Sequence, residues 1–299
     1  MSHHHINNAK ENNFTIAISL TGLIFLAEFF GGLWTGSLAL LSDSAHVFMD
    51  VFALGLSYFA IRAARLPSDD RHTYGYHRMQ VLAALANAAT LLLISFEILR
   101  EAVNRFQKPE EVIAGPMLVI AVAGLIINVI VALVLRRHDH NDLNMRAAFL
   151  HVLGDALASI GVIVAGIAIL LTGRQWIDPA VSVLISLLIM FGSGNLLKET
   201  VHILAEGIPE GMTASAVADT MRAIPGVAEV HDLHIWTVSP GYISLSAHVI
   251  LNDQTLSQST EIMYELKQSL SAKYKIDHTT IQFECTDCGQ GLGSDGKLC

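Results

Sequence analysis

Ser42-Asp43-Ser44-Ala45-His46-Val47-Phe48-Met49-Asp50 stands inside a run of apolar residues long enough to cross a bilayer. An ionisable side chain at the centre of such a run costs about 2.5 to 3.5 kcal/mol to insert, so it belongs against a cavity, a partner or a ligand. His46 and Asp50 are four residues apart, which on a helix stacks them on one face, one turn from each other. His151-Val152-Leu153-Gly154-Asp155 repeats the H-V-x-x-D pattern in a second apolar run. Two packed helices that bring these pairs together supply two imidazoles and two carboxylates, the donor set of a tetrahedral zinc site. The expected ligands are therefore His46, Asp50, His151 and Asp155. Depth agrees with the pairing. Asp50 lies roughly 18 Å from the outer start of its helix and Asp155 roughly 12 Å from the inner start of its own, so in a core about 30 Å thick the carboxylates meet at one level.

The composition fits this setting. A chain of 299 residues with 52% hydrophobic and 15% charged residues and a mean hydropathy of +0.49 is too apolar for an ordinary soluble enzyme. Apolar runs of spanning length extend from Phe14 to Trp34, Leu38 to Arg62, Met79 to Leu99, Ile113 to Leu135, Ala147 to Leu171 and Ile177 to Leu197, which predicts a membrane all-α six-helix bundle. One set of flanks holds Lys10, Arg62, Arg65, Arg71, Arg78, Arg136, Arg137, Arg146 and Lys198, the other only Arg100, Arg105, Lys108 and Arg174. Basic residues stay on the cytoplasmic side, so both termini are expected inside. Cys285, Cys288 and Cys299 then lie in the reducing cytosol, and no disulfide framework is expected.

Other polar residues have blander readings. His3-His4-His5 are either a tail or an auxiliary ligand set. Glu28 is the lone charge of the first run, with a structural role or a place near the ion path, and Gly31, Gly32 and Gly36 allow close helix approach. Asp43 reads as a solvated charge near the outer mouth. Asn87, Glu97 and Asn128 read as interhelical hydrogen-bonding groups. The loop Pro67 to Arg78 holds Asp69, Asp70, His72 and His77; it is either a solvated connection or an entry funnel with a surface metal site on Asp69 and His72. His138, Asp139 and His140 pose the same choice in the next cytoplasmic loop.

From Glu206 the character changes: Lys and Arg number five against twelve Asp and Glu, which argues against nucleic acid or an anionic membrane surface as partner and suits the attraction of cations. A helix after Thr213, strands near Val227 to Thr237 and Tyr242 to Leu251, a helix from Ser257 to Lys273 and a strand from Thr279 to Glu284 predict an α-β-β-α-β order, a small open α+β sheet with helices on one face. His231, His234 and His248 fall on or beside these strands, His278 and Glu284 on the last, and Cys285-Thr286-Asp287-Cys288 directly after. So dense a cluster predicts cytosolic metal binding through His231, His248, His278, Glu284, Cys285 and Cys288. The domains expected are a leader over 1–13, a transmembrane domain over 14–205 and a cytosolic α+β domain over 206–299.

These features together resemble a known family. Six helices with H-x-x-x-D in the second and fifth, the loop text H-T-Y-G-Y-H-R-M-Q-V-L-A-A-L-A-N from His72, V-H-D-L-H-I-W from Val230 and S-A-H-V from Ser246 are similar to the cation diffusion facilitators, in particular the zinc transporter and CzcD-like branch. The resemblance implies a homodimeric, proton-coupled zinc exporter with its transport site on His46, Asp50, His151 and Asp155. It also implies a metallochaperone-like cytoplasmic domain that dimerises and binds zinc, with His231, His248 and Glu284 in its site. This chain departs from the pattern at Tyr76, where some members have a second loop histidine and His77 stands one place on. It departs again at Gln282, where some members carry histidine. His278, Cys285 or Cys288 would substitute there, or His3 to His5 of a neighbouring chain. The long histidine-rich loop of many eukaryotic members is absent, which points to a bacterial cell (inner) membrane.

The expected chemistry is exchange. Zinc needs neutral imidazoles and ionised carboxylates, so metal entry expels protons and proton entry weakens metal binding. Zinc is the cargo and also a regulatory ion, and H+ the counter-ion. Rival readings are the same transport for cadmium, cobalt, nickel, iron or manganese, and a membrane zinc sensor that moves nothing. A membrane metalloprotease would need H-E-x-x-H, which does not occur, so no enzyme is expected.

Overall fold

The computed structural model describes residues 20–136, 143–252 and 255–285, with side chains at 50, 53, 54, 57, 58, 61, 131–136, 143–154 and 256 outside the description. The expectations on His3 to His5, His138, Asp139, His140, Cys288 and Cys299, and on the side chains of Asp50 and His151, lie outside the described residues. The chain divides into two compact units, Met1–Leu56 with Ala86–Leu197, and Ser57–Leu85 with Lys198–Cys299.

Helices cover the apolar runs in order: α1 (Leu20–Thr35), α2 (Leu38–Ala64), α3 (Met79–Gln107), α4 (Ala114–Arg136), α5 (Leu143–Thr172) and α6 (Ile177–Leu204). Within the described residues Met79–Gln107, Asp155–Thr172 and Ile177–Leu204 are long and apolar enough to cross a membrane; Leu20–Thr35, Leu38–Met49 and Ala114–Ile130 are shorter apolar stretches. The first unit mixes small and large side chains in its core and turns many large apolar ones outward. Ala39, Leu40, Val112, Ala114, Met117, Ala121, Val162, Ala165, Ile169 and Ile185 form its core, while Phe30, Leu93, Val119, Leu171 and Phe191 face outward. This is the distribution expected where lipid, as apolar as the core, is the solvent.

A buried carboxylate ties three helix ends of this unit together. Ser37 caps α2, its hydroxyl accepting from Leu40 N at 3.1 Å. Asp178, at the start of α6, is fully buried and accepts from Ser37 Oγ at 2.6 Å, Leu38 N at 2.7 Å and Ala39 N at 3.3 Å. Its charge sits at the positive end of α2. Arg105, near the end of α3, lies 3.9 Å from Asp178 Oδ2 and donates to Gly36 O at 2.5 Å. Glu97 does not bond between helices as expected: it is exposed and accepts from Arg100 in its own helix at 2.8 Å.

In the second unit, α7 (Ala214–Arg222) and α8 (Leu256–Tyr274) accompany β1 (Val227–Ser239), β2 (Tyr242–Leu251) and β3 (Ile276–Glu284). The sheet order is β1-β2-β3, with β1 and β2 antiparallel and β2 and β3 parallel. The parallel pair needs a crossover, which α8 supplies. A capping box between Thr255 and Gln258 starts α8, and Lys275 in the left-handed region ends it. Val217 and Met221 from α7 and Ile262, Leu266 and Leu270 from α8 pack on Val230, Ile235, Leu245, Ala247, Val249, Leu251 and Ile276. The alternate residues of β2, Ser244, Ser246 and His248, therefore lie on the other face.

Candidate functional site

In the first unit the two H-V-x-x-D helices meet. His46 Nε2 of α2 lies 3.2 Å from Asp155 Oδ1 of α5, with Asp155 buried and His46 half-buried. Two donors bound to one zinc at about 2.0 to 2.1 Å in a tetrahedron stand about 3.3 Å apart, so this spacing suits a shared ion. Asp50 and His151 lie one helical turn from their motif partners on α2 and α5.

A polar chain runs beside this pair. Asn128 Nδ2 of α4 donates to Ser159 Oγ at 3.4 Å, which fulfils the interhelical role expected of Asn128, and Ser159 Oγ donates to Asp43 Oδ2 at 3.2 Å. Asp43 is 2% exposed, so it is not the solvated mouth charge that its position suggested. The reason is packing: the α5 face that carries Asp155 also carries Ser159 one turn on, and that hydroxyl covers the carboxylate. Asn87 Oδ1 is buried and has no hydrogen-bond partner among the described residues, so the interhelical bond expected of it is not seen there.

In the second unit the sheet gathers a separate group. His231 of β1 is paired in register with His248 of β2, and Glu284 ends the neighbouring strand β3. The donor atoms of these three residues all lie within 4.8 Å of one another. His231 Nε2 is 3.3 Å from Glu284 Oε2, and His248 Nδ1 is 3.0 Å from Glu284 Oε1 without hydrogen-bond geometry. These spacings match those of ligands around one tetrahedral ion, and two nitrogens with a carboxylate fit zinc. Asp232 was not singled out from the sequence, although it stands between the histidines of V-H-D-L-H. Its Oδ2 lies 3.7 Å from His248 Nε2 and its Oδ1 2.9 Å from His234 Nε2. At 3.7 Å the carboxylate is an ionic neighbour on the far nitrogen of the His248 ring, not a hydrogen-bond acceptor for it.

Two expected donors, His278 and Cys285, are not brought into this group. His278 pairs with Ser244 in register, toward the opposite end of β3 from Glu284, and its ring stands against Tyr74 and Tyr242 at 5.6 and 6.1 Å. His234 is mostly exposed and bonded to Asp232. Cys285, just past the strand, is a free, exposed thiol outside the group. Gln282, the departure noted in the sequence, is the register partner of His248 and donates to Glu284 Oε1 at 2.8 Å, so it orients the carboxylate.

In the loop between α2 and α3, Asp69 and His72 are brought together, His72 Nδ1 lying 3.1 Å from Asp69 Oδ1. The carboxylate is heavily used already. It accepts from Tyr76 OH at 2.8 Å and from the backbone N–H groups of Arg71 and His72 at 2.8 and 2.7 Å. The Tyr76 bond first, then those two N–H groups, hold the Asp69 carboxyl down to about 2. The same bond pushes the Tyr76 phenol up. His77 is turned away, its ring 5.2 Å from that of Tyr242.

Residues 14–205 match the cation efflux transmembrane domain, and residues 209–285 match the cytoplasmic domain of cation efflux proteins. The metal cation efflux system protein CzcD of Cupriavidus metallidurans is 42% identical over 289 residues, 97% of this chain and 91% of that protein. The cadmium, cobalt and zinc/H(+)-K(+) antiporter of Bacillus subtilis is 38% identical, covering 95% of this chain and 92% of its own. The zinc transporter ZitB of Pectobacterium atrosepticum is 39% identical, with 96% and 89% covered. A solved structure of the metal-bound C-terminal domain of the C. metallidurans CzcD transporter is 42% identical, covers 24% of this chain and 99% of its own, and has a TM-score of 0.23. The chain belongs to the cation efflux family of membrane transporters and is not an enzyme.

Proposed function

We propose that this chain is a proton-coupled zinc exporter, moving zinc from the cytoplasm through a site of His46, Asp50, His151 and Asp155. The observation that carries the reading is the approach of His46 Nε2 to Asp155 Oδ1 at 3.2 Å, which joins the two repeated motifs across α2 and α5. Six helices cross the cell (inner) membrane with both termini in the cytoplasm, and the bundle alternates its exposure of the site between the faces. Zinc binds neutral imidazole and ionised carboxylate, and protons compete for the same donors. The relative named for H(+)-K(+) antiport supports potassium as a second counter-cation.

The cytoplasmic domain acts as the dimerising and regulatory module, supported by the match to the family's cytoplasmic domain over residues 209–285. His231, His248 and Glu284 would hold its zinc, with Gln282 fixing the carboxylate. Asp69 and His72 form a turn at the cytoplasmic mouth where a third ion could dock only by displacing Tyr76.

Asp155→Ala tests the transport site. In proteoliposomes the variant is expected to lose zinc/proton exchange while zinc binding at the cytoplasmic group persists. Undiminished exchange by the variant would remove Asp155, and with it the four-residue site, from the mechanism.

A further inference from the structure

Glu28 of α1 is 1% exposed, and neither carboxylate oxygen has a hydrogen-bond partner among the described residues. As a bare carboxylate such a group is costly in an apolar bundle, so it takes up a proton or another cation. Its Oε1 occupies space that only a glycine leaves open on α4: a Cβ at Gly124 would stand 2.5 Å from that oxygen. Gly124 and Asn128 are one turn apart on one face of α4, and Asn128 leads through Ser159 to Asp43. Four helices thus gather two carboxylates and a hydroxyl, all oxygen donors, with the hydroxyl held by the Asn128 amide.

This set differs in kind from its neighbour. His46 lies one turn past Asp43 on α2, and Asp155 one turn before Ser159 on α5, so the mixed nitrogen and oxygen donors of the metal site are adjacent. Imidazole with carboxylate favours zinc, whereas oxygen alone favours hard cations. We propose that Glu28 and Asp43, with Ser159 and Asn128, form a second cation position that holds the monovalent counter-cation, a proton or an alkali ion. The proposal rests on the antiport reading above. It also gives exchange a physical cause. A divalent ion between His46 and Asp155 repels a cation on Glu28, and a cation on Glu28 repels the metal, so filling one position empties the other.

The test uses the full-length protein and two substitutions that leave all four proposed zinc ligands in place. Gly124→Ala drives a methyl into the space of Oε1, and Glu28→Gln removes the charge at nearly constant volume. Zinc binding in detergent is measured by calorimetry. Zinc flux in proteoliposomes is driven either by a pH gradient at equal potassium or by a potassium gradient at equal pH. Both variants are expected to keep wild-type zinc stoichiometry and to lose gradient-driven flux. Loss under the pH gradient alone assigns the position to the proton, loss under the potassium gradient alone to the alkali ion, and loss under both to either ion in turn. If Gly124→Ala does not fold, Glu28→Gln decides alone. Wild-type flux in Glu28→Gln under both gradients overturns the proposal, and so does a lost equivalent of zinc, which would make Glu28 a metal ligand instead. A wild type inert under both gradients refutes the antiport reading itself.

Discussion

Asp178→Asn is the substitution whose cost the structure specifies most directly. The aspartate is fully buried and accepts three hydrogen bonds at the start of α2, at 2.6, 2.7 and 3.3 Å. Ser37 and Ala39 share Oδ1, while Leu38 uses Oδ2 alone. Asparagine keeps one acceptor oxygen, so whichever way it turns, an N–H2 faces a buried donor on the other side. Each charge-assisted bond is worth about 1.5 to 3 kcal/mol, and removing one member of a buried charge pair costs about 3 to 5 kcal/mol. Arg105, 11% exposed, then keeps Glu101 and Glu110 as its ionic partners among the described residues. A loss of about 3 to 5 kcal/mol lowers the unfolding midpoint by on the order of 10 °C, read on purified full-length protein in detergent at one scan rate. Ser37→Ala removes the cap on Leu40 N and one of the three bonds to Asp178 while leaving the carboxylate and its other two, and should cost about 1.5 to 3 kcal/mol. His46 lies about 12 Å up α2 from Leu38, so fraying at Leu38 should also weaken zinc binding without touching a ligand. If Ser37→Ala destabilised as much as Asp178→Asn, the carboxylate would not be the hub, and the reasoning would fail.

Two further outcomes follow from the second unit. Because the Tyr76 hydroxyl is the main cause that holds Asp69 at about 2, Tyr76→Phe should move the Asp69 titration upward, toward the ordinary carboxylate range. The folded value is depressed, so the turn gains its stability above the ordinary value and loses it as pH falls from about 4 to about 2. Carboxyl NMR of aspartate-labelled protein would register both, and an Asp69 titration indifferent to Tyr76→Phe would contradict the assignment. Glu284→Gln should lower zinc affinity of the cytoplasmic group by at least about tenfold, since even an outer-shell partner is worth that much. Chelator competition in an Asp155→Ala background measures it. An unchanged affinity would place the ion elsewhere on the domain.

The hydrophobic runs, the i, i+4 motifs and the α-β-β-α-β order were legible because they are local: each depends only on helix or strand periodicity over a few residues. His46 and Asp155 could be paired from the sequence because the same motif occurs twice and both copies fall at one depth. The cytoplasmic strands were legible from their alternation, and the start of α7 from Thr213, whose side chain caps it; α8 begins at Leu256, one residue before the expected Ser257, on the cap of Thr255.

What the sequence left open depends on register and on neighbours from other helices. His231 and His234 are three apart, so a regular strand would place them on opposite faces. A bulge between them, with Asp232 at φ 46°, sets Asp232 and Leu233 of β1 against Ala247 of β2 and turns both histidines toward one face. The same parallel register that brings Glu284 beside the histidines carries His278 to the far end of β3, so nearness of these two residues in sequence gave a false partner. Asp43 is the converse case. One helix alone makes it a mouth charge, whereas Ser159 on α5 and Asn128 on α4 make it part of a buried polar chain. Periodicity, which needs only one segment, was fixed by the residues themselves. Burial and donor geometry, which need the surfaces of several segments at once, were decided by the tertiary structure.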